Sequence, residues 1–158
     1  MSFKKFALVA SVFALAACGG TSESAPAAEE TAAAPAVETA PAAAAVTGTT
    51  HEIKMIGDEK GYRFEPANLT VKTGDAIKYV FVSGGPHNVA FEGTTLSADV
   101  KKQLDANFSA KMAELSSNMM LNAGESVTIS FAGIPAGKYP YNCTPHLAMN
   151  MKGVITVE

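Results

Sequence analysis

The sequence has no tryptophan, only three histidines and only two cysteines among its 158 residues. Each of those five side chains can therefore be weighed singly. The two cysteines are not read as a disulfide, because their settings differ: Cys18 closes an apolar N-terminal run, and Cys143 lies near the C-terminus among possible metal ligands. Basic side chains number 12 against 15 acidic ones. There is thus no basic excess to suggest nucleic acid, and no long like-charge run to suggest an interaction tail. The apolar run from Phe6 to Ala17 is too short to span a membrane, which takes about 20 residues. The length allows one ordinary domain with extra segments.

The N-terminus has the form of an address. Lys4 and Lys5 precede the apolar run, which ends in Leu15-Ala16-Ala17-Cys18. Small residues at 16 and 17 suit a narrow peptidase cleft. The stretch resembles the lipobox of bacterial lipoproteins, and that resemblance implies a signal peptide over 1–17, cleavage before Cys18, and lipidation of the Cys18 thiol. Gly19 after Cys18 resembles lipoproteins sorted to the outer membrane or cell surface. The stretch 18–49 is rich in Ala, Pro, Glu, Thr and Ser, and its only large apolar side chains are Val37 and Val46. It cannot bury enough surface to offset chain entropy, so a disordered linker is expected. As a coil it would span roughly 30 Å, and fully stretched roughly 100 Å.

From residue 50 to 158 the hydrophobic period becomes two. Val127, Ile129 and Phe131 alternate with Ser126, Thr128 and Ser130. Ile77 to Val82 reads as a central, more fully buried strand, Glu52 to Ile56 as the first and Gly153 to Glu158 as the last. Thr73-Gly74-Asp75 and Asn122-Ala123-Gly124-Glu125 are turn signals. The pattern predicts an all-β, Greek-key sandwich of ordinary size. One inserted helix is expected over about 97–117, capped by Ser97, with Val100, Leu104, Phe108 and Met112 recurring every four residues and Leu115 near the same face. It is read as a cover over an open part of the sandwich.

The chemistry concentrates near the C-terminus. Cys143, His146, Met149 and Met151 lie within nine residues, between two predicted strands, and Pro145 limits the freedom of the loop. Upstream, Gly85-Pro86-His87-Asn88 places a second imidazole after a turn. Two imidazoles, a thiolate and a weak thioether make the trigonal His₂Cys set with a long axial Met. The thiolate suits Cu(I), the imidazoles suit Cu(II) as well, and little need move when an electron does. His51, at the linker junction and without a partner motif, is read as exposed or incidental. Met55, Met112, Met119 and Met120 are read as packing.

The Cys143-Thr144-Pro145-His146 loop with Ala148-Met149-Asn150-Met151 resembles those of the plastocyanin, pseudoazurin and amicyanin group of cupredoxins, pseudoazurins in particular. Gly85 to Phe91 and Phe64 to Asp75 resemble other segments of that group. The resemblance covers roughly 52–158. It implies a type 1 copper site with His87, Cys143 and His146 as ligands and Met151, rather than Met149, as the axial one. It further implies an electron-transfer protein, not an enzyme, that exchanges electrons through the His146 edge with redox proteins such as c-type cytochromes or copper enzymes. Leu147, Ala148 and Pro86 are candidates for an apolar patch there. Asn142 stands where plastocyanins usually carry a tyrosine before the cysteine. A copper carrier or buffer is the alternative. A copper enzyme would need a second histidine-rich centre, and only His51 is left to build one. The expected whole is a lipid-anchored, extracytoplasmic monomer.

Overall fold

A computed structural model describes residues 42–158. The expected signal segment, Cys18 and the linker up to residue 41 lie outside the described residues. Alternating side chains build the strands. In β1 (Thr50–Asp58), Ile53 and Met55 point inward and Glu52 and Lys54 outward. In β4 (Ala76–Phe81), Ile77, Tyr79 and Phe81 are buried while Lys78 is exposed. Val82, expected in that buried set, is 42% exposed, because the chain has left the sheet by then. β2 (Gly61–Glu65) and β8 (Ser126–Ser130) complete a four-stranded sheet ordered β2-β1-β4-β8. Facing it is a six-stranded sheet, β3-β10-β9-β5-β7-β6. Its members are β3 (Asn68–Val71), β5 (Ala90–Phe91), β6 (Lys111–Ala113), β7 (Ser116–Ser117), β9 (Gly137–Asn142) and β10 (Lys152–Val157). Pairing is antiparallel except for β1 with β4 and β3 with β10.

The expected all-β sandwich with an inserted helix is the observed architecture. Its core joins Ile53, Ile77, Tyr79 and Ile129 of the first sheet to Tyr139, Tyr141 and Ile155 of the second. Burying each such aliphatic side chain is worth about 1.5–3 kcal/mol.

The helix is shorter than the sequence suggests. α1 spans Ala98–Ala106, with Ser97 Oγ accepting from the Val100 N–H and Asn107 as its C-cap. The four-residue recurrence fails after Leu104. Asn107 turns the chain by donating its amide to the Ser130 and Ala132 carbonyls, both at 2.9 Å. Phe108 is buried through a bridge to Ile129 rather than through a helical face. Met112 is 61% exposed on the β6–β7 hairpin. Leu115 is buried from a left-handed backbone (φ 54°) that no helix tolerates. Asp105 anchors that hairpin to the helix, accepting from the Leu115 N–H at 2.7 Å and pairing with Lys111.

His51 is neither incidental nor fully exposed. It is half-buried, and its Nε2 lies 2.9 Å from Asp75 Oδ2. Asp75 also accepts from the backbone N–H groups of Lys72 (3.0 Å) and Thr49 (2.8 Å), so it joins the Gly74 turn (φ 100°) to the start of β1. The Lys72 amide foremost, then His51 and Thr49, hold its carboxyl down at about 2. Because this lies below the ordinary value of 3.8, the network stabilises the fold above that value. The contribution is lost as pH falls from about 4 toward 2, where the unfolded chain binds its proton first. Denaturant midpoints measured across that range should fall steeply for the wild type, and more gently for Asp75→Asn.

Candidate metal centre

Two segments supply the chemistry. The first leaves β4 at Phe81, turns through Gly84 and Gly85, and returns toward β5. Along it His87 forms a two-bond bridge with Met120 (N···O 3.0 and 2.8 Å) that fixes its backbone. The second joins β9 to β10. Cys143 follows β9, and a 3₁₀ segment over Thr144–Met149 carries Pro145 near its start. Asn150, with φ of 62°, ends it in the left-handed region that asparagine tolerates. The loop is closed from within by bonds from Cys143 N–H to the Met151 carbonyl (3.0 Å), Met151 N–H to the His146 carbonyl (3.2 Å), and His146 N–H to the Cys143 carbonyl (3.1 Å).

These segments bring three of the predicted residues together. The donor atoms of His87, Cys143 and His146 lie within 4.8 Å of one another, and all three side chains are buried. Cys143 Sγ is 3.5 Å from His87 Nδ1 and 3.4 Å from His146 Nδ1. His87 Nε2–H donates to the Ser83 carbonyl at 2.8 Å, which leaves Nδ1 free to face the thiol. The two candidate thioethers differ sharply. Met151 is fully buried where β10 begins, whereas Met149 is 56% exposed.

Burial dominates the electrostatics. It pushes both imidazoles below their usual range, against the Ser83 carbonyl in the case of His87 and with added repulsion from His87 in the case of His146. Neutral imidazole is the form that binds metal. Burial pushes the Cys143 thiol up, while the backbone N–H groups of Asn88 and His146 pull toward thiolate. Two neutral imidazoles and a soft sulfur in a closed site fit copper.

Two further residues shape the site, and neither was assigned a role from sequence. Asn88 is buried between the segments. Its Oδ1 accepts from the Thr144 N–H at 2.7 Å, and its Nδ2 donates to Thr144 Oγ1 and Ser116 Oγ, each at 3.1 Å. Tyr62 of β2 stacks on His146, with ring centroids 3.8 Å apart and planes 16° off parallel. Gly57 makes room for it, since a Cβ there would stand 2.7 Å from Tyr62 Cε1. On the other side, Phe81 meets the His87 ring edge-on at 4.9 Å. The Gly-Pro-His-Asn motif contained Asn88, but nothing in its spacing named Thr144 as its partner.

Asn88→Ala removes three hydrogen bonds and leaves the Thr144 N–H without its acceptor. Denaturation of the copper-free protein should show a loss of about 2–4 kcal/mol, and copper should pass to a chelator faster than from the wild type.

The comparisons with known proteins agree with this geometry. The family described as copper binding proteins, plastocyanin/azurin family, matches residues 51–158. Plastocyanin of Nostoc punctiforme is 34% identical over 113 residues, which are 69% of this chain and 74% of that protein. Plastocyanin of Scenedesmus fuscus is 35% identical over 107 residues, 67% of this chain and 97% of that one. The solved oxidized plastocyanin of Dryopteris crassirhizoma superposes with a TM-score of 0.53 at 28% identity, covering 68% of this chain and all of that one. With its His-Cys-His cluster and this match over most of its length, the chain belongs to the copper-binding plastocyanin/azurin family, and copper is its cofactor.

Proposed function

We propose that the protein is a type 1 copper electron carrier, with His87, Cys143, His146 and Met151 as ligands. The observation that carries this is the buried cluster of one thiol and two imidazoles, with His87 donating to the Ser83 carbonyl and with Asn88 and main-chain bonds holding the loop that carries Cys143 and His146. When bound, copper supplies a Cu(I)/Cu(II) couple that takes up and releases one electron. The chain's own part is to keep the ligands in one arrangement for both states. Ser83 sets the His87 tautomer, the loop's internal bonds hold Cys143 and His146, and Tyr62 covers the His146 ring. Burial of Met151 and exposure of Met149 favour Met151 as the axial donor.

A redox partner would meet the rim around His146. Leu147 and Met149 are large, apolar and exposed there, beside exposed Pro86 and Ala148. Redox proteins such as c-type cytochromes or copper enzymes fit such a face. A copper carrier or buffer must release its metal readily, and ligands this enclosed argue against that. Of the three histidines, His51 pairs with Asp75 away from the cluster, which favours a carrier of electrons over a multi-centre enzyme.

Copper(II) added to the purified protein should produce an intense visible thiolate-to-copper band that vanishes on reduction. Cys143→Ser should abolish the band and leave the fold; a colourless wild type would refute the reading. Met151→Leu should keep the band and raise the reduction potential, because a weak donor that favours Cu(II) is lost. The same change at Met149 should move the potential less.

The lipobox-like segment ending in Cys18 supports reading this carrier as lying outside the cytoplasm, anchored through Cys18. Among the described residues, no helix is long and apolar enough to cross a membrane. Fractionation should find the wild type with membranes and Cys18→Ser released; equal membrane association of the two forms would remove the anchor from that position.

A further inference from the structure

The stretch 42–49 has no regular secondary structure, yet it is fastened to the sandwich in two places. At the first, the N–H groups of Thr47 and Gly48 both donate to the Gly74 carbonyl, at 3.0 and 2.9 Å, and the Thr49 N–H donates to Asp75. Gly48 approaches Asp75 so closely that a Cβ would stand 2.1 Å from its Oδ1. At the second, the Ala44 N–H donates to Asn107 Oδ1 at 2.9 Å, and the Ala42 carbonyl accepts from Gln103 Nε2 at 3.3 Å.

Asn107 is the C-cap of α1 and only 3% exposed. A primary amide has two donor hydrogens and two acceptor lone pairs. Here the donors go to the Ser130 and Ala132 carbonyls. The acceptors take Gln103 Nε2 (2.8 Å) and the Ala44 N–H. The N-terminal segment therefore completes a buried polar group of the domain.

We propose that the C-terminal end of α1 is a docking seat for this chain's own N-terminal segment. The seat makes that segment depart from the pole opposite the metal centre. β1 runs between the poles. Its first residue, Thr50, pairs with Ala76 beside the Gly74–Asp75 turn. Seven residues on, the Gly57 N–H donates to Ser83, whose carbonyl also accepts from His87. At about 3.3 Å per residue, roughly 20 Å separates the two ends. Residues 42–49 thus lie at the pole away from the exposed rim around His146. This assigns a role to α1, which the electron-transfer reading leaves without one. It rests on the reading of a tethered carrier for its purpose, though not for its geometry.

The test uses the full chain carrying Cys18→Ser, loaded with Cu(II) and spin-labelled through Ala43→Cys. Pulsed dipolar spectroscopy should give one narrow copper-to-label distance distribution. Ala44→Pro deletes the N–H that Asn107 accepts, and Gln103→Ala deletes the second bond; each should broaden the distribution. A broad distribution in the wild type, or variants as narrow as the wild type, would overturn the seat. Hydrogen exchange on the copper-free protein provides a readout that needs no metal. The Ala44 amide should be protected in the wild type and exchange several-fold faster in Gln103→Ala, and an unchanged rate would equally overturn the proposal. Failure to bind Cu(II) would sink the electron-carrier reading and leave the exchange data to decide the seat.

Discussion

The antiparallel pairing of Ala90 with Asn142 is the contact on which the metal centre depends. His87 lies three residues before Ala90, and Cys143 one residue after Asn142. Once β5 and β9 are in register, two groups 56 residues apart in sequence must arrive at the same end of the same sheet. A slip of one residue would turn either Phe91 or Tyr141 away from the core, so packing of the interior enforces the register that the chemistry needs. Asn88 then locks the short segments that extend beyond the strands, where the sheet itself no longer holds them.

Within the centre, protection and access compete. Burial keeps the imidazoles neutral and ready for metal, and excludes water that would alter the geometry. It also raises the cost of the thiolate, which the Asn88 and His146 amides partly offset. The arrangement seals Cys143 and His87 completely and leaves His146 just beneath the surface under Tyr62, with exposed apolar side chains around it.

The two poles of the sandwich do different work. One carries the His87, Cys143 and His146 cluster. The other gathers the Gly74 turn, Asp75, His51, the end of α1 and the incoming chain into a hydrogen-bonded knot.

The all-β class and the Cys143–Met151 loop were legible in the sequence because both rest on local rules, whereas His87 entered through its Gly-Pro-His-Asn segment and only β5–β9 register brings it to the loop. Alternation of period two marks strands wherever one face is buried, and a thiolate, an imidazole and two thioethers crowded into one short loop announce soft-metal chemistry before any fold is known. The end of the helix was not legible. Val100, Leu104, Phe108 and Met112 share a four-residue spacing, but Phe108 is buried by a strand-like bridge to Ile129, and a hairpin returning along the sheet satisfies Leu115 as well as a helix would. The partner of His51, the staple at Asn88 and the ring over His146 join residues 24, 56 and 84 positions apart. Periodicity reports only which way a side chain faces. Which distant group it meets is decided by sheet order and register, so the kinds of donor atom belong to the sequence, and their tautomers, shielding and orientation belong to the tertiary structure.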